Sequence, residues 1–137
     1  MVLSYVDANY WIYWFDERLP EHESVDDIMQ KAIQNEVVVS TVTLMEVAHY
    51  FRMIPPNILN EKMRIIADLS TLSLVDFTST IMQSSINLLS IYGPKGLGSR
   101  DCVILATMKS VGSNTLLTHD QSFKNVKEIK VIDAVRL

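Results

Sequence analysis

Short β-type runs alternate with longer helical patterns along the chain, and this alternation restricts the fold more than any other feature. The clearest run, 37–39, is three consecutive valines, which is typical of a strand buried on both faces. The pattern predicts strands at 2–6, 37–39, 74–77, 115–118 and 131–132, and helices at about 9–15, 24–35, 43–53, 56–72, 78–93 and 99–112. Strands that alternate with helices form βαβ units around a mostly parallel sheet. We therefore predict one three-layer α/β domain over residues 1–137, with helices on both faces of the sheet.

Candidate capping residues set the predicted helix boundaries. Ser24, Thr43, Thr78 and Ser99 are of types that accept a hydrogen bond from a first-turn N–H, so each is predicted to begin a helix. Gly112 suits the left-handed conformation that commonly follows the last helical residue.

Composition narrows the classes of protein to which the chain can belong. Of the 137 residues, 48% are hydrophobic and 20% are charged, which excludes disorder and predicts a sizeable core. The single cysteine cannot form an internal disulfide, and no apolar run approaches the roughly 20 residues of a membrane span. Because no signal peptide is recognisable either, we expect a cytoplasmic protein without membrane attachment. A net charge of −4 argues against a protein that binds polyanions through bulk charge alone.

Four carboxylates, far apart in sequence, are predicted to lie at one edge of the sheet. Asp7 ends the first strand and Asp120 follows the fourth. Glu46 is placed in the first turn of the helix after the second strand. Asp101 is placed in the first turn of the helix that leads into the fourth. The carboxyl ends of parallel strands share one edge, where α/β sheets bind their ligands, so the four side chains are expected on one side of the molecule.

Each of these carboxylates also has a purely structural explanation. Glu46 completes a capping box with Thr43, Asp101 complements a helix dipole, and Asp7 and Asp120 suit turns after strands. These structural roles do not explain why a charged residue, Asp7, lies between an apolar strand and an aromatic-rich segment. An unpaired charge is costly to bury there. Clustered carboxylates repel one another unless a cation lies among them. Mg²⁺ or Mn²⁺ prefers oxygen ligands, so the set predicts a divalent-metal site that can act on a phosphodiester.

Around these acids the sequence resembles the PIN-domain family, in particular the VapC-type toxins of prokaryotic toxin–antitoxin pairs. The matching stretches are SYVDAN at 4–9, STVTLME at 40–46, GSRDCVILAT at 98–107 and LLTHDQSF at 116–123. They occur in order along almost the whole chain. The resemblance implies a Rossmann-like sheet in the order 3-2-1-4-5, a metal-dependent ribonuclease that hydrolyses RNA, a homodimer and an antitoxin partner.

The resemblance also implies roles for single residues. Asp7, Asp101 and Asp120 would hold the metal ion, and Glu46 would orient or deprotonate the attacking water. Two further residues, Asn9 and Thr118, would support the carboxylates by hydrogen bonds.

Arg100, beside Asp101, has two interpretations that the sequence leaves open. One is a contact with substrate phosphate, and the other is a salt bridge at the start of its helix.

Other functions remain as alternatives. A receiver-type phosphoacceptor domain also combines acids and Mg²⁺ on an α/β sheet, with Asp76 as its candidate acceptor, but Asp7 lacks the acidic neighbour that such a site requires. A PIN-type RNA-processing nuclease outside a toxin–antitoxin pair would carry the same four acids. A catalytically silent domain that only binds a partner is the third alternative.

Overall fold

The computed structural model describes residues 3–136 and contains one five-stranded parallel sheet. Its strands are β1 (Leu3–Val6), β2 (Glu36–Ser40), β3 (Leu72–Val75), β4 (Thr115–Leu117) and β5 (Lys130–Ile132). Their order across the sheet is β3-β2-β1-β4-β5, and every neighbouring pair is parallel. The predicted fold class and strand order are therefore confirmed. The strand order reverses between β1 and β4, which is where an open α/β sheet leaves a crevice for ligands.

Six helices connect the strands. They are α1 (Ala8–Phe15), α2 (His22–Gln34), α3 (Thr41–Tyr50), α4 (Pro56–Ala67), α5 (Ser79–Tyr92) and α6 (Ser99–Val111). Several predicted boundary residues act as expected. Pro56 begins α4, the Thr78 hydroxyl accepts from the Ile81 N–H, and Gly112 ends α6 with φ at 73°.

The sheet separates two hydrophobic clusters, and the valines of β2 show how. Val37 and Val39 face the cluster formed with α1 to α4, where Trp11 is fully buried. Val38 faces the opposite cluster, formed with α5 and α6. Adjacent side chains of a strand point to opposite faces, so one run of three valines contributes to both cores. This is the arrangement of a sheet with helices on both faces.

Three predicted helix caps are wrong, because each helix begins at or before the residue that was expected to cap it. Helix α2 begins at His22, and the Ser24 hydroxyl bonds the backbone of Arg136 instead of capping the helix. Helix α3 begins at Thr41, with the Ser40 hydroxyl accepting from the Val42 N–H at 3.1 Å.

The third wrong cap is that of α6, where Gly98 occupies the cap position and Ser99 is the first helical residue. Glu46 therefore lies in the second turn of α3, not in a capping box. Its predicted partner Thr43 is bonded instead to the buried Tyr5 hydroxyl.

The third strand also lies earlier than the apolar pattern indicates. Helix α4 ends at Ala67, and β3 covers Leu72–Val75 instead of 74–77. Pairing with β2 sets this register, because Val37 aligns with Leu72 and Ser40 with Val75. Val2, part of the first predicted strand, lies outside the described residues. None of the helices within residues 3–136 is long and apolar enough to cross a bilayer.

Candidate metal and nuclease site

Asp7 is the carboxylate most deeply placed at the sheet edge. It caps α1, its Oδ1 accepting from the Ala8 N–H at 2.7 Å and its Oδ2 from the Thr118 hydroxyl at 2.7 Å. Only 7% of the residue is exposed. Burial raises the pKa of Asp7 above its usual range, the negative charges of Asp120 and Asp101 raise it further, and the two hydrogen bonds oppose the shift. The carboxyl group is thus held in place without a compensating positive charge.

Thr118 connects Asp7 to the end of β4. While its hydroxyl donates to Asp7, the same oxygen accepts from the Asn9 side-chain amide at 3.2 Å and from the Asp120 N–H at 3.0 Å. The Asn9 side-chain oxygen accepts from the His119 N–H at 3.3 Å. The structure therefore brings Asn9 and Thr118 into contact with the acidic group, and their hydrogen bonds fix the relative positions of β1 and β4.

Asp101 and Asp120 are linked by Ser122, a residue that the sequence analysis missed. The Ser122 hydroxyl lies 2.8 Å from Asp120 Oδ1 and 3.4 Å from Asp101 Oδ2, and its N–H donates to Asp120 Oδ1 at 2.9 Å. Asp101 Oδ2 also accepts from the Gly98 N–H at 2.9 Å, so it caps α6 as well. An Asp followed two residues later by Ser is a common turn pattern, and it was the available signal for Ser122.

Glu46 and Arg100 form an ion pair across the site. Arg100 Nη1 lies 2.8 Å from Glu46 Oε2, which is the salt-bridge interpretation of Arg100. Partial burial raises the pKa of Glu46, the Arg100 charge opposes that shift, and the charges of Asp7 and Asp101 add to it. Glu46 thus has a cation beside it, whereas none of residues 3–136 supplies one to Asp7.

All four carboxylates line one cleft of about 820 Å³. Its other lining residues are Ala8, Asn9, Ile12, Val42, Met45, His49, Tyr50, Arg52, Arg100 and Ile104. Within residues 3–136, no group of three or more Asp, Glu, His or Cys side chains is placed so that it could hold a metal ion. The donor set nevertheless fits a hard divalent cation, because it consists of carboxylate oxygens and includes a buried charge that the protein leaves uncompensated.

The receiver-type alternative does not fit this geometry. Asp76 is exposed beyond the edge strand β3 and does not line the cleft. The flavodoxin-like sheet of receiver domains has the order 2-1-3-4-5, which differs from the order found here.

The sequence and fold of this chain are similar to those of known proteins. A family model described as the PIN domain matches residues 4–129, which include all four carboxylates. No curated protein sequence matches the chain.

Solved structures share the fold at low sequence identity. VapC20 of Mycobacterium tuberculosis, described as a sarcin–ricin loop cleaving toxin, is 14% identical with a TM-score of 0.77, over 90% of this chain and 95% of that one. VapBC2 of Rickettsia felis, bound to a promoter DNA fragment, gives 18% identity and a TM-score of 0.71, over 96% and 98%. A toxin–antitoxin complex from Klebsiella pneumoniae gives 20% identity and a TM-score of 0.72, over 98% and 99%.

Proposed function

Because the chain belongs to the PIN-domain family, we propose that it is a ribonuclease that depends on Mg²⁺ or Mn²⁺ and serves as the toxin of a VapBC-type toxin–antitoxin pair. The observation that carries the proposal is the cleft shared by Asp7, Glu46, Asp101 and Asp120. These acids come from four separate elements and converge where the strand order reverses. A structural role for each acid alone does not account for their convergence.

Asp7, Asp101 and Asp120 are the residues that would hold the ion. A divalent cation bound there supplies a Lewis acid for phosphate and lowers the pKa of a coordinated water. The hydrogen bonds of Thr118, Asn9 and Ser122 orient carboxylate oxygens at the cleft, as residues around a metal site commonly do. The uncompensated charge on Asp7 favours cation binding, because the ion removes the electrostatic cost of burial.

Glu46 is the proposed general base. Its carboxylate lies at the cleft, and partial burial moves its pKa upward, toward the neutral pH at which proton transfer is most effective. The charge of Arg100 opposes this rise and favours the ionised form of Glu46. When RNA binds, the Arg100 guanidinium is also placed to contact a phosphate oxygen, so the two interpretations of Arg100 describe two stages of one cycle.

The toxin assignment rests on the family and on the solved structures. Two of them are toxin–antitoxin assemblies from Rickettsia felis and Klebsiella pneumoniae, and the M. tuberculosis protein is described as a toxin. We extend the proposal to an antitoxin partner, a homodimer and a cytoplasmic location. Induced expression should arrest growth, and co-expression of the gene next to this one should relieve the arrest if it encodes the antitoxin. An RNA-processing nuclease outside such a pair would cleave RNA without that relief.

Substitution of the metal-binding acids tests the nuclease itself. Asp7→Asn and Asp101→Asn should each lower Mn²⁺-dependent cleavage of a labelled RNA by about 100- to 1,000-fold, since they remove charge needed for transition-state stabilisation. Asp76→Asn changes an exposed acid outside the cleft and serves as the matched control. Circular dichroism checks that all variants are folded. Wild-type rates in both cleft variants would refute the proposal.

A further inference from the structure

One aromatic side chain in the cleft has no part in the acidic site. Tyr50, the last residue of α3, lines the cleft and is 40% exposed. It lies four residues after Glu46, so the two side chains share one face of the helix, about 6 Å apart along its axis. The ring is therefore one helical turn from the proposed catalytic base.

Tyr50 is held by its hydroxyl group, which leaves the ring available. The hydroxyl donates to Asp16 Oδ2 at 2.9 Å, and Asp16 is only 5% exposed. Arg18 donates two hydrogen bonds of 2.9 Å to the same carboxylate, from Nε to Oδ1 and from Nη2 to Oδ2. The Tyr50 ring also packs at 82° against Phe51, with the ring centroids 4.9 Å apart. A fixed, partly exposed ring with its polar group already bonded is well suited to stacking.

The neighbours of Tyr50 favour a nucleic acid over a small apolar ligand. Arg52 is exposed, lines the same cleft, and is held by a 2.9 Å hydrogen bond from Nη1 to the His49 carbonyl. Met45, one turn before His49, is 70% exposed. This part of the cleft thus offers a cation, an aromatic ring and apolar surface near Glu46, a combination typical of sites for single-stranded nucleic acids.

We propose that Tyr50 is a stacking platform for one base of single-stranded RNA, next to the phosphate at the acidic site, with Arg52 contacting the backbone. This inference rests on the proposed ribonuclease function and specifies where the substrate strand lies. Packing of the ring against Phe51 does not depend on the hydroxyl and restricts its movement as well. The structural alternative is that the bond from Tyr50 to Asp16 only ties the end of α3 to the end of α1.

Two substitutions at one position separate these roles. Tyr50→Phe keeps the ring and loses the hydroxyl bond, whereas Tyr50→Leu loses the ring. Phe77→Leu is the matched control, because Phe77 is 42% exposed and does not line the cleft. A structural tie predicts that the Phe and Leu variants of Tyr50 behave alike, and a stacking platform predicts that only the Leu variant loses RNA affinity.

The binding experiment uses fluorescence anisotropy with a single-stranded RNA 12-mer of mixed sequence, in EDTA to prevent cleavage. Tyr50→Leu should weaken binding by about five- to 100-fold, as expected for one base stacked on an aromatic ring. Tyr50→Phe and Phe77→Leu should stay within about twofold of wild type. An abasic strand of equal length should bind wild type and Tyr50→Leu equally. In Mn²⁺, the KM for RNA should rise in Tyr50→Leu while kcat changes little.

Two results would overturn the stacking role. One is wild-type affinity of Tyr50→Leu for the 12-mer, which would leave the ring as a surface for a protein contact. The other is an equal loss for the abasic strand, which would assign the effect to the backbone or to the fold. If the wild-type protein neither binds nor cleaves RNA, the ribonuclease proposal itself fails. If it does both and Tyr50→Leu matches it, only the stacking inference fails.

Discussion

Helix α1 has a buried aspartate at each end, and the pKa values of the two carboxyl groups are shifted in opposite directions. Asp7 precedes the helix and is 7% exposed, and Asp16 follows it and is 5% exposed. Arg18 and the Tyr50 hydroxyl hold the pKa of Asp16 well below its usual range, and burial opposes that shift. Asp7 meets hydrogen-bond donors but no cation, and burial raises its pKa.

The contrast shows how a structural acid can be told from a functional one. The protein supplies the countercharge for Asp16 from Arg18, two residues along the chain. For Asp7 it supplies geometry only, through Thr118 and Ala8, and places further negative charge nearby. A buried group whose charge is left uncompensated beside a cleft is a strong candidate for ligand binding.

The largest expected effect that distinguishes Asp7 from Asp16 comes from adding a divalent cation. Mn²⁺ at about 100 times its dissociation constant should stabilise the wild-type protein by about 2.7 kcal/mol, because it binds only the folded state. Asp7→Asn should lose most of this gain, while Asp16→Asn should keep it. Thermal unfolding with and without Mn²⁺ measures the effect. Equal stabilisation of the wild-type protein and Asp7→Asn would remove the distinction between the two aspartates.

A second test alters the geometry around Asp7 but not its charge. Thr118→Val removes the hydroxyl that bonds Asp7, Asn9 and Asp120, and should weaken Mn²⁺ binding by about 10- to 100-fold. Thr107→Val is the matched control, since the Thr107 hydroxyl is equally buried but bonds only the Val103 carbonyl of its own helix. Titration calorimetry measures the affinities. Similar losses in both variants would indicate a general effect of hydroxyl removal.

The third test uses pH on the structural side of the comparison. The folded-state pKa of Asp16 is lowered, so its stabilisation is present above the unfolded-state pKa of about 3.9 and is lost as the pH falls through the folded value. Asp16→Asn should therefore cost about 1–2 kcal/mol at pH 7, with a smaller difference at pH 3. Urea unfolding at both pH values gives the comparison. A cost independent of pH would show that the charge of Asp16 contributes nothing.

The smallest expected effect concerns Glu46, which has a cation beside it, as Asp16 does. Arg100→Gln removes the charge that lowers the pKa of Glu46, so that pKa should rise. A base with a higher pKa needs a higher pH to be deprotonated, so the acidic limb of the pH profile of kcat should move up by about one unit or less. Arg64→Gln removes an exposed cation outside the cleft and should leave the limb in place.

Much of the fold can be predicted from local sequence patterns. The wrong helix caps at Ser24 and Thr43 arise where a contact with a residue distant in sequence determines the structure. The valine run of β2 and the stop at Gly112 act as the sequence predicts. Ser24 and Thr43 look like helix caps, yet their hydroxyls bond the Arg136 backbone and Tyr5. No local pattern contains such partners, because they come from the other end of the chain or from a neighbouring strand.

The candidate site also has residues that local patterns predict and one that they do not. Placing strand ends at one sheet edge was sufficient to group Asp7, Glu46, Asp101 and Asp120. Tyr50 could not be predicted from the sequence, because its hydroxyl bonds Asp16, which lies 34 residues earlier in the chain. A tyrosine at the end of a helix does not by itself indicate such a contact.

The position of β4 has a consequence for how the protein is made. This strand lies beside β1 at the middle of the sheet, although its residues, Thr115–Leu117, come late in the chain. Until the ribosome has synthesised them, the emerging polypeptide lacks both its central pairing and the hydroxyl that holds Asp7. The cleft at this edge of the sheet therefore cannot be complete before β4 has been synthesised.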